Sequence, residues 1–209
     1  MAFYHDKILP KLIKAAMSDR RLAPFRRSTL APCFGKVLEL GIGSGANLEF
    51  YPESVSELVG IEPHAGLLAA ATERLSANMN FPIKLVQGSA EKLPFASDSF
   101  DFVVSTFTLC SVFDSTLVTK EVARVLKPNG KLLYLEHGLS HSPSVNFFQK
   151  RLNPIQKAFA GGCQLTKNHV QDVENGGLSH LSAEQFFLPK VPKFLGFIYQ
   201  GSATPIEKS

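Results

Sequence analysis

The sequence predicts an α/β protein whose mostly parallel sheet carries helices on both faces and closes with an antiparallel pair of strands. Three observations carry that expectation. From Gly35 onward, short and nearly continuous apolar runs alternate with helix-patterned segments. A glycine-rich turn ends the first of those runs. Near the C-terminus two weakly alternating runs follow each other around Pro189 and Pro192, and strands joined by so short a connection must run antiparallel.

Taken in chain order, residues 8–17 set Ile8, Leu9, Leu12, Ile13, Ala16 and Met17 on one helical stripe, with Lys11 and Lys14 opposite and Pro10 in the first turn. A second short helix starts near Pro24. KVLELG (36–41) is the first strand, followed by the glycine turn and a helix over 47–51 that stops at Pro52. ELVGIE (57–62) is the second strand, and a helix over 65–77 buries Leu67, Leu68, Ala71 and Leu75. IKLVQG (83–88) and FDFVVSTF (100–107) are the third and fourth strands. A helix over 116–126 ends at Lys127-Pro128-Asn129-Gly130, a stop signal. KLLYLEHG (131–138) is the fifth strand, and 145–160 is helical, with Phe147, Phe148 and Phe159 on its core face or lining part of an apolar pocket. AEQFFLP and FLGFIYQG supply the closing pair.

The chain has 209 residues, enough for one domain of ordinary size, and at 44% hydrophobic and 19% charged it buries a substantial core. Charge is unevenly spread. Residues 1–27 hold seven Lys and Arg against Asp6 and Asp19, whereas the remainder holds 15 basic and 16 acidic groups. The whole net charge of +4 therefore sits on the N-terminal segment, which argues against a nucleic-acid binder with a basic body. This divides the chain into an N-terminal helical cap or lid, 1–34, and a main domain, 35–209. The alternative for the cap is a membrane-surface contact through its amphipathic helix. No run approaches the ~20 apolar residues of a membrane span, and no secretory h-region is present. Cys33, Cys110 and Cys163 are odd in number and widely spaced, neither a disulfide framework nor a zinc pattern. Reduced thiols in a cytoplasm and no metal are the expectation. Oligomeric state is left open.

Gly41-Ile42-Gly43-Ser44-Gly45 lies where a strand meets a helix, so the backbone turns tightly and a ligand approaches without meeting a Cβ. Glu62 ends the next strand, 21 residues after Gly41, where a carboxylate accepts hydrogen bonds from ribose hydroxyls. Gly41, Gly43 and Ala46 also satisfy the dinucleotide pattern. Three features favour S-adenosylmethionine instead. Glu39, two residues before the first glycine, suits an ammonium and would repel a pyrophosphate. Ser89-Ala90-Glu91 follows the third strand, where an adenine edge is read. An antiparallel closing pair is unusual for a dinucleotide sheet.

ELGIGSG, IEP, QGSAEKLPFASDSFD and LKPNG, in that order, resemble the motifs of class I S-adenosylmethionine-dependent methyltransferases, and closely those of the ubiquinone and menaquinone C-methyltransferase branch. The likeness is strong over 35–137 and weaker to 203. It implies a Rossmann-like seven-stranded sheet with an antiparallel last strand. It implies a cofactor set of Glu39, Gly41, Gly43, Gly45, Glu62, Pro63, Ser89, Ala90, Glu91 and Thr106, with S-adenosylhomocysteine as product. Many relatives carry Asp at the position of Ser89, which accepts a hydrogen bond without charge.

Methyl transfer from a sulfonium is an in-line displacement with a neutral leaving group, so positioning dominates and a base is needed only for a protonated acceptor. The acceptor belongs outside the C-terminal strand ends. Glu136 and His137 are the catalytic candidates, His137 as base, although neighbours on a strand face opposite ways. Tyr4, Phe107, Cys110 and Cys163 are the pocket candidates; for Cys110 simple packing is the competing reading, and for Cys163, beside Gly161 and Gly162, a loop thiol. TLCSV (108–112), YLEH (134–137) and GGCQLTK (161–167) resemble segments of the microsomal methyltransferase-like alkyl-thiol methyltransferases and their bacterial relatives. That implies a small-molecule acceptor, hydrogen sulfide or a small thiol. Those microsomal relatives begin with a hydrophobic anchor that this chain does not match, so membrane residence does not carry over. The competing readings are a quinone-precursor C-methyltransferase, a phospholipid N-methyltransferase, a ligand-binding protein without catalysis and an oxidoreductase.

Overall fold

The computed structural model describes residues 9–75 and 80–206; Tyr4, Ile8 and residues 76–77 lie outside them. The chain begins with α1 (Leu9–Met17) and α2 (Ala23–Leu30), the latter with a proline in its first turn. Then come β1 (Gly35–Leu40), β2 (Val55–Glu62), α3 (Ala65–Arg74), β3 (Ile83–Gln87) and β4 (Phe100–Thr106). They are followed by α4 (Ser115–Val125), β5 (Leu126–His137), α5 (Pro143–Phe159), α6 (His169–Asn175), β6 (Leu178–Phe187) and β7 (Phe197–Pro205). Asp114 caps α4 by accepting from the Leu117 amide at 3.0 Å.

The seven strands form one sheet in the order β3-β2-β1-β4-β5-β7-β6. The first five in that order are parallel to one another, and β7 runs antiparallel to both β5 and β6. This is the Rossmann-like seven-stranded arrangement expected from the motifs. The alternating residues of each strand feed two cores. Leu38, Leu40, Val103, Leu132 and Tyr134 pack on one face, and Val37, Leu58, Phe102, Val104 and Leu133 on the other.

Local departures have plain causes. Residues 47–51 make only a 3-10 turn, Leu48–Phe50, because Asn47 and Tyr51 spend their side chains on Glu39. The Lys127–Gly130 stop signal ends α4 but is absorbed into β5, where the β4–β5 register shifts between Phe100 and Phe102. The α6 helix was not anticipated; at seven residues it is too short for a periodic signature. Leu67 and Ala71 are buried on α3, with Leu68 and Leu75 partly so. Phe147, Phe148 and Phe159 are 54%, 54% and 62% exposed rather than core, since α5 turns Val145 and Gln149 inward instead. Cys33, Cys110 and Cys163 are all free. Among the described residues no helix is long and apolar enough to cross a membrane.

Candidate active site

Strand parity decides which side chains meet. The sheet order reverses between β1 and β4, and the crevice beyond their C-terminal ends is the place where such sheets bind ligands. On β1, Val37 and Glu39 share the face that also carries Leu58 and Glu62 of β2, Val104 and Thr106 of β4, and Leu133 and His137 of β5. The polar residues at these four strand ends therefore open onto one cavity of about 570 Å³. Glu136 has the opposite parity and does not line it.

The glycine turn forms one wall. Gly43 has φ +56°, and a Cβ there would meet no atom closer than the Gly41 carbonyl at 3.8 Å, so it holds the backbone in a left-handed conformation and leaves the cavity side clear. A Cβ on Gly41 would instead fall on the Thr108 side chain, whose hydroxyl donates to the Leu40 carbonyl at 2.9 Å. Gly45 does not line the cavity but packs against Leu48 beneath the turn. Glu62 accepts from the Gly43 amide at 3.1 Å and from the His64 amide at 2.9 Å, which aims its carboxylate along the cavity wall beside Pro63. Burial raises its pKa against those two hydrogen bonds.

Glu39 is wholly buried and anchors a network that the sequence did not disclose. Asn47 Nδ2 donates to its Oε1 at 2.8 Å, and the Tyr51 hydroxyl donates to its Oε2 at 2.9 Å. Asn47 Nδ2 also donates to Thr106 Oγ1 at 2.9 Å. Arg26 of α2, only 3% exposed, donates to Asn47 Oδ1 and to Thr106 Oγ1, and its guanidinium lies 5.5 Å from the centre of the Phe107 ring. Desolvation pushes the Glu39 carboxyl up to about 7, opposed by the Tyr51 hydrogen bond and the Arg26 charge. Desolvation likewise lowers Arg26. One of the basic groups of the N-terminal segment is thus not solvated but part of the site.

The far end of the cavity holds the acceptor candidates. Phe107 adopts φ +56°, a strained conformation for a bulky residue, and its ring sits 4.7 Å from the His137 ring. Cys110 and Cys163 approach with sulfurs 3.6 Å apart, and Cys163 Sγ lies 3.8 Å from His137 Nδ1. Their mutual hydrogen bond pushes the Cys110 thiol up, together with burial, and draws Cys163 down. All four line the cavity, as do Leu12, Ile13, Ala16 and Met17 of α1. Tyr4 lies outside the described residues.

Two expectations are relocated by the geometry. Glu136 Oε1 accepts from Ser105 Oγ at 2.6 Å and from the amides of Thr108 and Leu109 at 3.0 Å each; Oε2 accepts from the Cys110 amide at 3.2 Å. Fully buried and saturated, it shapes the loop after β4 and is not presented to an acceptor. Glu91 lines the cavity beside Ser89 and Ala90, yet its Oε2 accepts from Ser89 Oγ at 2.5 Å and its Oε1 from the Phe113 amide at 2.8 Å. Those hydrogen bonds, Ser89 first, hold its pKa below the usual range. It ties the β3 end to the same loop. Lys167, the last residue of GGCQLTK, donates to the carbonyls of Leu109 and Val112 and pins that loop from the other side. Arg26, Asn47 and Tyr51 were missed because none stands on a strand whose parity would point it inward; the only hint was Arg26 in an oddly basic segment.

A reversing parallel sheet with a glycine turn and two buried carboxylates at its switch point defines an α/β nucleotide-cofactor enzyme. Residues 38–134 match the methyltransferase domain family. Thiol S-methyltransferase TMT1B of Homo sapiens is 31% identical over 199 residues, covering 90% of this chain and 81% of the relative. The ubiquinone/menaquinone biosynthesis C-methyltransferase UbiE of Syntrophotalea carbinolica is 30% identical over 212 residues, covering 93% and 82%. Geranyl diphosphate methyltransferase, solved in complex with S-adenosylmethionine, superimposes with a TM-score of 0.69 at 13% identity, covering 88% of this chain and 84% of that one. The chain belongs to the class I S-adenosylmethionine-dependent methyltransferases. Its site fits that cofactor: a buried carboxylate and a guanidinium with one N–H, Nε, unpartnered among the described residues suit the two charges of an amino-acid end, and the Gly43 wall is clear.

Proposed function

We propose that the protein methylates hydrogen sulfide or a small alkyl thiol. The observation that carries this reading is the lining of the acceptor end: Phe107, the two sulfurs of Cys110 and Cys163, one imidazole, and the apolar residues of α1. Such a lining suits a small, soft, weakly hydrated nucleophile better than a bulky polar one. The 31% identity to a thiol S-methyltransferase supports it.

Bound S-adenosylmethionine supplies an electrophilic methyl on a sulfonium whose departure needs no acid. Glu39 and Arg26 hold the amino-acid end, Glu62 the ribose, and Ser89 with Ala90 the adenine edge. Pro63 and Gly43 form the wall between them. Phe107 and Thr106 define the passage toward the acceptor, and Phe107 orients His137 by ring contact. His137 takes the acceptor's proton; a thiol, with an ordinary pKa of about 8.5, makes a modest demand on it. Residues 1–34 act as a lid whose apolar stripe excludes water from the acceptor end.

The test is turnover with sulfide, methanethiol, a demethylated quinone and phosphatidylethanolamine side by side. Thiol turnover is expected; turnover of the quinone or lipid with none of the thiols overturns the proposal. His137→Ala should lower kcat, and an unchanged kcat across pH removes His137 from the base role.

A further inference from the structure

The acceptor end of the cavity gathers three ligating atoms from three separate segments. Cys110 comes from the loop after β4, His137 from the end of β5, and Cys163 from the turn after α5. Cys110 Sγ, Cys163 Sγ and a ring nitrogen of His137 all lie within 4.8 Å of one another. The closest pairs are 3.6 Å for the two sulfurs and 3.8 Å for Cys163 Sγ to His137 Nδ1. A tetrahedral zinc with Zn–S of about 2.3 Å and Zn–N of about 2.0–2.1 Å has S···S edges of about 3.8 Å and S···N edges of about 3.6 Å. The two closest spacings, 3.6 Å and 3.8 Å, lie within about 0.2 Å of those edges, and the third pair, Cys110 Sγ to the His137 ring, is held within 4.8 Å.

The scaffold holds the three in place before any ion arrives. Gly161 and Gly162, at φ +62° and +85°, bring the turn so close that a Cβ on Gly162 would stand 2.9 Å from the Ser111 carbonyl. The Gln164 amide donates to the Cys110 carbonyl at 2.9 Å, and the Cys110 amide donates to Glu136. Buried His169 approaches the His137 carbonyl at 2.7 Å and fixes the end of β5. All three ligands also line the cavity, so one side of the cluster faces open space. Three protein ligands with a free fourth position are the pattern of a zinc that handles substrate rather than one that only braces a fold.

We propose that Cys110, Cys163 and His137 form a zinc site whose fourth position takes the sulfur of the acceptor. Loading releases two thiol protons to solvent and pairs two thiolates with one dication, so no net charge is buried. Entry of an acceptor thiol at the fourth position releases one further proton to solvent, leaving a coordinated thiolate with free lone pairs, so in the metal-loaded protein His137 acts as a ligand and not as the base. This use rests on the thiol reading above, whereas binding of the metal does not.

Cobalt(II) is the probe, added to the reduced protein under a non-thiol reductant. One equivalent per chain is expected, with thiolate-to-cobalt charge transfer in the near ultraviolet and intense tetrahedral bands in the visible, all erased by zinc. Cys110→Ser/Cys163→Ser should abolish the spectrum, and Cys33→Ser, whose sulfur lies in a separate core, should retain it. Should the double variant not fold, iodoacetamide mapping of the unmodified protein replaces it, with zinc slowing Cys163 labelling by ~10-fold or more. No saturable equivalent of cobalt, a spectrum that persists in the folded double variant, or unprotected Cys163 overturns the site. Failure of thiol turnover with the cobalt spectrum intact removes the acceptor role alone, and thiol turnover without the spectrum removes the zinc alone.

Discussion

Glu39→Gln separates what the buried carboxylate costs the fold from what it does for the ligand. The carboxyl moves from an ordinary 4.5 to about 7 on folding, chiefly through burial. Its folded value lies above its unfolded one, so the native state binds this proton more tightly. Stability from this group is therefore full below pH 4.5, falls as pH rises to about 7, and stays low above it. The interval corresponds to ~3 kcal/mol. Glutamine keeps the geometry: its Oε1 still accepts from Asn47, and the Tyr51 hydroxyl turns to accept from Nε2. Urea unfolding of the ligand-free protein at pH 8 should find the variant more stable than the parent by ~1–3 kcal/mol, with the difference closing at pH 4.5. Calorimetry at pH 8 should find S-adenosylmethionine affinity down ~30-fold or more, because a charged partner has lost its counter-charge. A variant less stable than the parent at both pH values, or one that binds the cofactor undiminished, would refute the reasoning.

Three further outcomes follow from the same geometry. Glu136→Ala strips the acceptor from Ser105 and from the amides of Thr108, Leu109 and Cys110; differential scanning calorimetry should show a loss of ~3 kcal/mol, or Tm lower by ~6–12 °C. Gly41→Ala collides with Thr108 and should cost ~2 kcal/mol or more in stability, whereas Gly43→Ala meets open space and should cost ~1–2 kcal/mol in stability but more in cofactor affinity; equal effects in both assays would contradict the division of labour in the turn. Deleting residues 1–20 should raise the acceptor KM by ~10-fold while Tm falls by under about 4 °C, and the reverse ranking would make the segment a structural brace rather than a lid.

What the sequence disclosed and what it withheld divide along the backbone. Spacing from the glycine turn located Glu39 and Glu62, the end of the fifth strand located His137, the family resemblance supplied Thr106, and the two-residue period of a strand already warned that Glu136 faces away from His137. The order of apolar runs and the Pro-bearing connection before Phe197 supplied the sheet and its antiparallel end. Residues outside regular elements escaped. Asn47 and Tyr51 read as one short helix, yet their side chains belong to Glu39, which is a tertiary demand that no local pattern records. Arg26 counted only as one basic group of the N-terminal segment, because its burial depends on a helix docking over the strand ends. The phenylalanines of α5 read as core because apolar residues at helical spacing do not reveal which side of the helix has a partner. Spacing in sequence likewise gave no metal pattern for Cys110, His137 and Cys163, since folding alone brings three distant segments together.

In the proposed reaction a methyl group passes from S-adenosylmethionine to a small thiol. Mass spectrometry of the headspace after incubation with methyl-deuterated S-adenosylmethionine and sulfide tests it most directly. Labelled methanethiol is expected, and labelled dimethyl sulfide when methanethiol is supplied, in step with S-adenosylhomocysteine. Labelled quinone or phospholipid, with no labelled sulfur product at any sulfide concentration, would contradict it.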